Sequence, residues 1–220
     1  MSAALELTKP KITRSEVLYG VSWEIYEQLV ADNWGFQFPR LTYDSGMLVI
    51  LNEGKFEYEV ANCTVSHIFE IMAEETETDY RCFGSATHRK KSIRKGFEPD
   101  SCFYIQSLDL IEGKEDLDFE NDPPPDLIIE VNKTSSSVPR MPIFAAFGVS
   151  EVWRFAGGII KFYILQEGVY LETKTSLAVP ILSSEKATKF LRESREMKST
   201  AWAKRIREWA QAERIKDVNL

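Results

Sequence analysis

The sequence predicts an α/β fold: a mixed, twisted sheet with a long helix on one face and a shorter helix near the other. A hairpin-rich extension and a C-terminal helical pair complete it. Three observations carry this reading. The stretches 102–105 and 126–131 are short apolar runs bounded by turn residues, as buried strands are. Residues 56–75 set Phe56, Val60, Cys63, Val65, Ile68, Phe69 and Met72 at roughly helical spacing, the pattern of a core helix laid on a sheet. Two turn triplets, Asp44-Ser45-Gly46 and Gln166-Glu167-Gly168, each separate a pair of apolar runs and read as hairpins.

In chain order, the first dozen residues read as a flexible lead-in. Ser22 caps a helix carrying Trp23, Tyr26, Leu29 and Val30 on one side, which ends near Asn33-Trp34-Gly35. Phe38-Pro39 breaks the chain before the hairpin strands 40–43 and 47–51. The long helix 56–75 follows, then a strand over 79–84 and the basic run His88-Arg89-Lys90-Lys91-Ser92-Ile93-Arg94-Lys95. Between the apolar runs, residues 109–125 are acidic and end in three prolines, a surface-loop composition. Proline cannot donate to a sheet ladder, so the second strand starts no earlier than Asp126. Pro139 sits at the first turn of a helix over 140–147, which Gly148 stops. A strand at 151–155 and the hairpin 159–165/169–173 come next, then helices over 186–195 and 200–214 with Trp202, Ile206, Trp209 and Ala210 in a stripe. Residues 1–182 are thus expected to form the main domain and 183–220 a helical extension.

Composition bounds the function. The 220 residues are 44% hydrophobic, enough for a real core. A net charge of −7 argues against wholesale coating of nucleic acid, but leaves room for a local basic groove. Cys63, Cys82 and Cys102 are odd in number and match no metal spacing, so they read as reduced, mostly core thiols. No secretory n-region opens the chain and no apolar run approaches membrane-spanning length, so a cytoplasmic bacterial protein is expected. His67 and His88, without cysteine partners, do not make a zinc site. No GxSxG, P-loop or GxGxxG occurs, which removes the usual hydrolase, nucleotide and dinucleotide routes. Trp23, Trp153, Tyr163 and Tyr170 read as packing residues.

The carboxylates in the apolar runs demand an explanation. Strand alternation puts Asp126, Ile128, Glu130 and Asn132 on one face, and Leu127, Ile129 and Val131 on the other. Asp126 lies roughly 13 Å from Glu130 along the strand, so the two cannot hold one ion. A second acid must come from another strand, and Asp100, heading the run 102–105, is the candidate. A metal or a cationic partner is then expected, because an unpaired carboxylate in an apolar sheet is costly or protonated. On the first reading Asp100 and Glu130 ligate a magnesium or manganese ion; on the second, Asp100 is a turn residue after Pro99 and Glu130 pairs with a local cation.

The pattern Pro99-Asp100, a spacer, then Asp126-Leu127-Ile128-Ile129-Glu130-Val131 resembles the PD-(D/E)XK nuclease superfamily, specifically its Uma-two branch of restriction-endonuclease-like bacterial proteins. The resemblance includes Gly84-Ser85-Ala86-Thr87, Ser135-Ser136-Ser137 and the segment from Pro142 through Gly148-Val149-Ser150-Glu151-Val152-Trp153-Arg154, roughly residues 20–190. It implies a restriction-endonuclease-like mixed sheet flanked by helices and Mg2+-dependent (or Mn2+-dependent) cleavage of DNA phosphodiester bonds. It also implies Asp100, Glu130 and the Val131 carbonyl as metal ligands, and a homodimer. The superfamily expects lysine where Asn132 stands; in this branch the cation arises from the following helix, which offers Arg140 as a phosphate clamp. Asparagine orients a water but carries no charge. Relatives carry a glutamate where this chain has Val49 and a histidine where it has Tyr58, while Glu59 aligns with a family acid. The alternative function is a nuclease-like scaffold that has lost its lysine and binds nucleic acid or a protein. Arg89, Lys90, Lys91, Arg94 and Lys95 either line the nucleic-acid cleft or form a solvated loop balancing the acidic segment 109–122.

Overall fold

The computed structural model describes residues 15–33, 39–51, 56–131 and 139–218, leaving aside the side chains of 216–218. Trp34, Asn132, Lys133 and Ser135-Ser136-Ser137 therefore lie outside the described residues. The N-terminal hairpin grows into a sheet of its own: β1 (Ser15–Tyr19), β2 (Arg40–Asp44), β3 (Met47–Leu51), β5 (His88–Lys90) and β6 (Lys95–Phe97), ordered β1-β3-β2-β6-β5. Every pairing in it is antiparallel. Helix α1 (Trp23–Asp32) covers one face, with Trp23, Tyr26 and Val30 packed on Leu41, Tyr43 and Leu48. Ser22 caps it as expected, accepting from the Ile25 amide at 3.2 Å. At Gly96 a Cβ would lie 2.0 Å from the Tyr26 hydroxyl, so only glycine lets β6 pass beneath that buried ring.

The second sheet holds β4 (Arg81–Gly84), β7 (Ser101–Tyr104), β8 (Leu127–Val131), β9 (Glu151–Ala156), β10 (Ile159–Gln166) and β11 (Val169–Thr173), ordered β11-β10-β9-β8-β7-β4. It is mixed, because β8 and β9 run parallel and are joined through α4 (Met141–Phe147). Strand alternation splits its side chains between two cores. Leu127, Ile129, Phe103, Trp153 and Phe155 face the long helix α2 (Phe56–Glu75). Cys102, Ile128 and Val152 face α4 through Ile143, Phe144 and Phe147. Between β7 and β8 lie a one-turn helix, α3 (Leu108–Ile111), and the acidic loop.

Helix α2 has the expected bounds, but several other details differ from expectation. The apolar stripe of α2 runs through Ala61, Val65, Ile68, Phe69 and Met72, whereas Phe56 and Val60 are exposed. Helix α4 starts one residue late, with Arg140 at its N-cap and Pro142 in its first turn. The helices α5 (Ser184–Glu193) and α6 (Ser199–Val218) dock on the chain's own core, where Phe190, Trp202, Ile206 and Ala210 join the α2 cluster. Arg207 and Arg214 fasten α6 to Glu74, Glu75 and Glu77 at the end of α2. Only Cys102 is buried; Cys63 and Cys82 are exposed, so the core-thiol expectation fails for two of three. Trp23 and Trp153 are core residues, and Tyr163 and Tyr170 pack against the α4 cluster.

Candidate active site

Strand pairing brings the two expected acids together. β7 and β8 are antiparallel with Ser101 opposite Ile129, so the register carried one residue further sets Asp100 across from Glu130. Asp100 Oδ2 accepts the Val131 amide at 2.7 Å, which ties it to the end of β8. Its backbone carbonyl accepts from Asn62 on α2 at 3.1 Å. Asp126 does something else: it accepts from the amides of Ile105 and Ser107 and from the Ser107 hydroxyl, anchoring the turn after β7.

Each acid faces an arginine. Arg140 Nη1 donates to Glu130 Oε2 at 2.7 Å, and its Nη2 donates to the Glu98 carbonyl. Arg140 also stands over the Phe144 ring, 5.3 Å from its centroid. Sequence reasoning missed the second arginine. Arg40, at the start of β2, reaches from the first sheet to donate to Asp100 Oδ1, and its Nη2 lies 3.7 Å from Glu59 Oε1 on α2. Its one sequence signal was a cation at a strand start with no apolar role, which the hairpin reading absorbed. Glu98, also missed, is buried and accepts from Thr87 and the Leu41 amide; burial raises its carboxyl above the usual range.

Glu130 is 2% exposed. Burial pushes its carboxyl up to about 7; Arg140 opposes that shift, Asp100 adds to it and Arg40 opposes it again. Its Oε1 is buried with no hydrogen-bond partner among the described residues. No group of three or more His, Cys, Asp or Glu side chains in a metal-holding arrangement occurs among the described residues. The donor set is nonetheless of the right kind for a small hard cation: two carboxylates on facing strands, one with an unmatched buried oxygen. Asn132, the residue in the lysine slot, lies outside the described residues.

The basic run is not a loop. His88–Lys90 and Lys95–Phe97 form the β5-β6 hairpin, with Lys91 to Arg94 as its turn. Arg89, Lys91 and Arg94 are exposed, while Lys90 and Lys95 are half-buried. Lys95 pairs with Asp44, and the acidic loop folds back so that Glu120 accepts the Ser92 amide at 3.0 Å. His88 is fully buried, stacked on Phe97 and against Phe119, with Nδ1 2.7 Å from the Ala86 carbonyl.

Residues 23–193 match the model of a family described as Uma2, putative restriction endonuclease. The chain belongs to the Uma2 family. Its mixed second sheet, flanked by α2 and α4, is the α/β architecture that the sequence predicted. Among solved structures, the crystal structure of a putative nuclease belonging to DUF820 from Anabaena variabilis ATCC 29413 is similar at 16% identity. It covers 78% of this chain and 99% of that one, with a TM-score of 0.48. No curated protein matches this Uma2 chain. No described helix is long and apolar enough to cross a membrane.

Proposed function

We propose that this Uma2 protein is a metal-dependent endonuclease that hydrolyses DNA phosphodiester bonds. The observation that carries the reading is the meeting of Asp100 and Glu130 on neighbouring strands, with one buried Glu130 oxygen unmatched. Asp100 and Glu130, with the Val131 carbonyl, would hold Mg2+ or Mn2+. A bound ion of this kind lowers the pKa of a coordinated water and offsets charge on a phosphoryl oxygen. The protein's own part is positional. The Val131 amide fixes the rotamer of Asp100, and Arg140 orients Glu130 from the N-terminus of α4. Arg140 is permanently charged and planar, so it can clamp a phosphate but is a poor proton carrier. The exposed Arg89, Lys91 and Arg94 of the hairpin give an acidic protein a local surface for phosphates.

The test is plasmid nicking. Wild type should relax supercoiled DNA in Mg2+ or Mn2+ but not in EDTA, and Asp100→Ala and Glu130→Ala should each lower the rate at least a hundredfold. Wild-type nicking that persists in EDTA, or variants as active as wild type, would overturn the reading.

One observation favours a second reading, a nuclease-like scaffold that binds without cutting. Arg40 and Arg140 already neutralise the two acids, so the cluster is nearly balanced without an ion. On that reading DNA binding survives Asp100→Ala unchanged and no divalent ion binds.

A further inference from the structure

The acid pair opens a row of charged residues that crosses the second sheet. β8 and β9 pair Glu130 with Arg154, and β9 and β10 pair Arg154 with Lys161. Partners in register project to one side of a sheet. That side is the α4 side: Ile128, Val152 and Tyr163, each two residues along from a member of the row, all pack in the α4 cluster. With strands ~4.8 Å apart, Arg154 follows Glu130 by about 5 Å and Lys161 by about 10 Å across the sheet.

The two cations are not equivalent. Lys161 is matched, its Nζ 2.8 Å from Glu172 Oε2, and both are about half exposed. Arg154 is half-buried, makes no hydrogen bond or ion pair with any described residue, and its Nε is buried without a partner. Arg40, Arg140, Arg205, Arg207 and Arg214 all reach carboxylates. Glu130 does not serve Arg154: its Oε2 is held by Arg140, and its Oε1 makes no hydrogen bond with any described residue. A guanidinium presents five donors in a planar fork and stays charged throughout the pH range of proteins. Its matching acceptor is a bidentate oxyanion.

We propose that Arg154 is a phosphate-binding residue that grips the nucleic-acid backbone beside the acid pair, with Lys161 as the next contact along the row. This rests on the nuclease reading and adds a second cationic surface, on the other sheet from the β5-β6 hairpin. Arg154 fixes where the strand lies relative to Asp100 and Glu130. It carries no sequence preference, because phosphates carry none.

The experiment is fluorescence anisotropy with a labelled DNA duplex and a labelled single strand, in EDTA, over a range of KCl. Arg154→Ala should weaken binding about tenfold and reduce the slope of log affinity against log salt by about one, the release expected for one phosphate contact. Arg154→Lys should keep the slope and lose part of the affinity. Lys161→Ala should lose less, since Glu172 already screens that charge. A folded Arg154→Ala with wild-type affinity and slope overturns the proposal. So does a parallel loss of Mn2+ affinity in Arg154→Lys, which would make the residue a structural support of the acid pair. Failure of the nuclease reading looks different: it shows in the plasmid-nicking assay, or as wild type itself binding neither DNA at low salt.

Discussion

Glu130 and Arg140 meet at 2.7 Å, yet the contact uses only one oxygen of the carboxylate and leaves the other buried and unmatched. A buried ion pair holds because each member cancels the desolvation cost of the other. Arg140→Ala should therefore destabilise the protein by about 3–5 kcal/mol at pH 8, because Glu130 loses its main partner and must be buried either as an unpaired charge or with a proton that the unfolded chain does not carry. Adding Glu130→Gln should restore most of that loss, since the charge is then removed as well. Urea unfolding of the single and double variants measures both.

Arg40 occupies the neighbourhood that a cation would share with Asp100. Removing it takes away a competing positive charge, so Arg40→Ala should bind Mn2+ about tenfold more tightly, ~1.4 kcal/mol. Without the ion, the same variant should melt below wild type, because Asp100 loses its partner. Calorimetric titration and thermal melts with and without Mn2+ report the two effects separately. Equal or weaker Mn2+ binding would mean that Arg40 holds Asp100 in place rather than competing for it.

His88 supplies a pH dependence. Burial pushes its imidazole down to about 4, against an ordinary value of 6.5. The unfolded chain therefore binds the proton first as pH falls, and the contribution is complete above 6.5. It declines as pH drops towards 4, by ~3 kcal/mol in all. His88→Phe keeps the stacking on Phe97 and Phe119 without the titration. The loss of stability between pH 7 and pH 4.5 should be smaller in that variant by about 2–3 kcal/mol.

Glu151 is a buried carboxylate with a structural role. It is 1% exposed and accepts from Trp153 Nε1, the Ser176 hydroxyl and the amides of Leu177 and Ala178, so it latches the segment after β11 onto β9. Glu151→Ala strands four buried or half-buried donors and should cost about 3–5 kcal/mol, read by urea unfolding. Increased amide exchange is expected first at residues 176–179, where the latch takes up the Leu177 and Ala178 amides.

Periodic apolar residues made most of the fold legible. The strands and helices are set by burial, and burial leaves a period of two or 3.6 in the chain. The acids were legible for the same reason, since a carboxylate stands out against an apolar run. Arg40 was not. Its role depends on contact with Asp100, sixty residues away on another sheet, and no local period encodes such a contact. The growth of the N-terminal hairpin into a sheet of its own was missed similarly, because His88–Lys90 looks like solvated charge until His88 is seen stacked between Phe97 and Phe119. Arg154 was read only as part of a motif. Its place beside Glu130 comes from the parallel β8-β9 register, which the chain does not spell out. The bounds of α2 were legible but its buried stripe was misjudged at the start, because Phe56 and Val60 fit the helical period but precede the part of the helix that the sheet covers.

The central claim, that Asp100 and Glu130 jointly hold a divalent cation, is tested most directly by calorimetric titration of Mn2+ into wild type, Asp100→Ala and Glu130→Gln. Saturable binding to wild type at one site per chain, abolished in both variants while they remain folded, is the predicted result. Absence of saturable binding to wild type, or binding that survives in either variant, would contradict it.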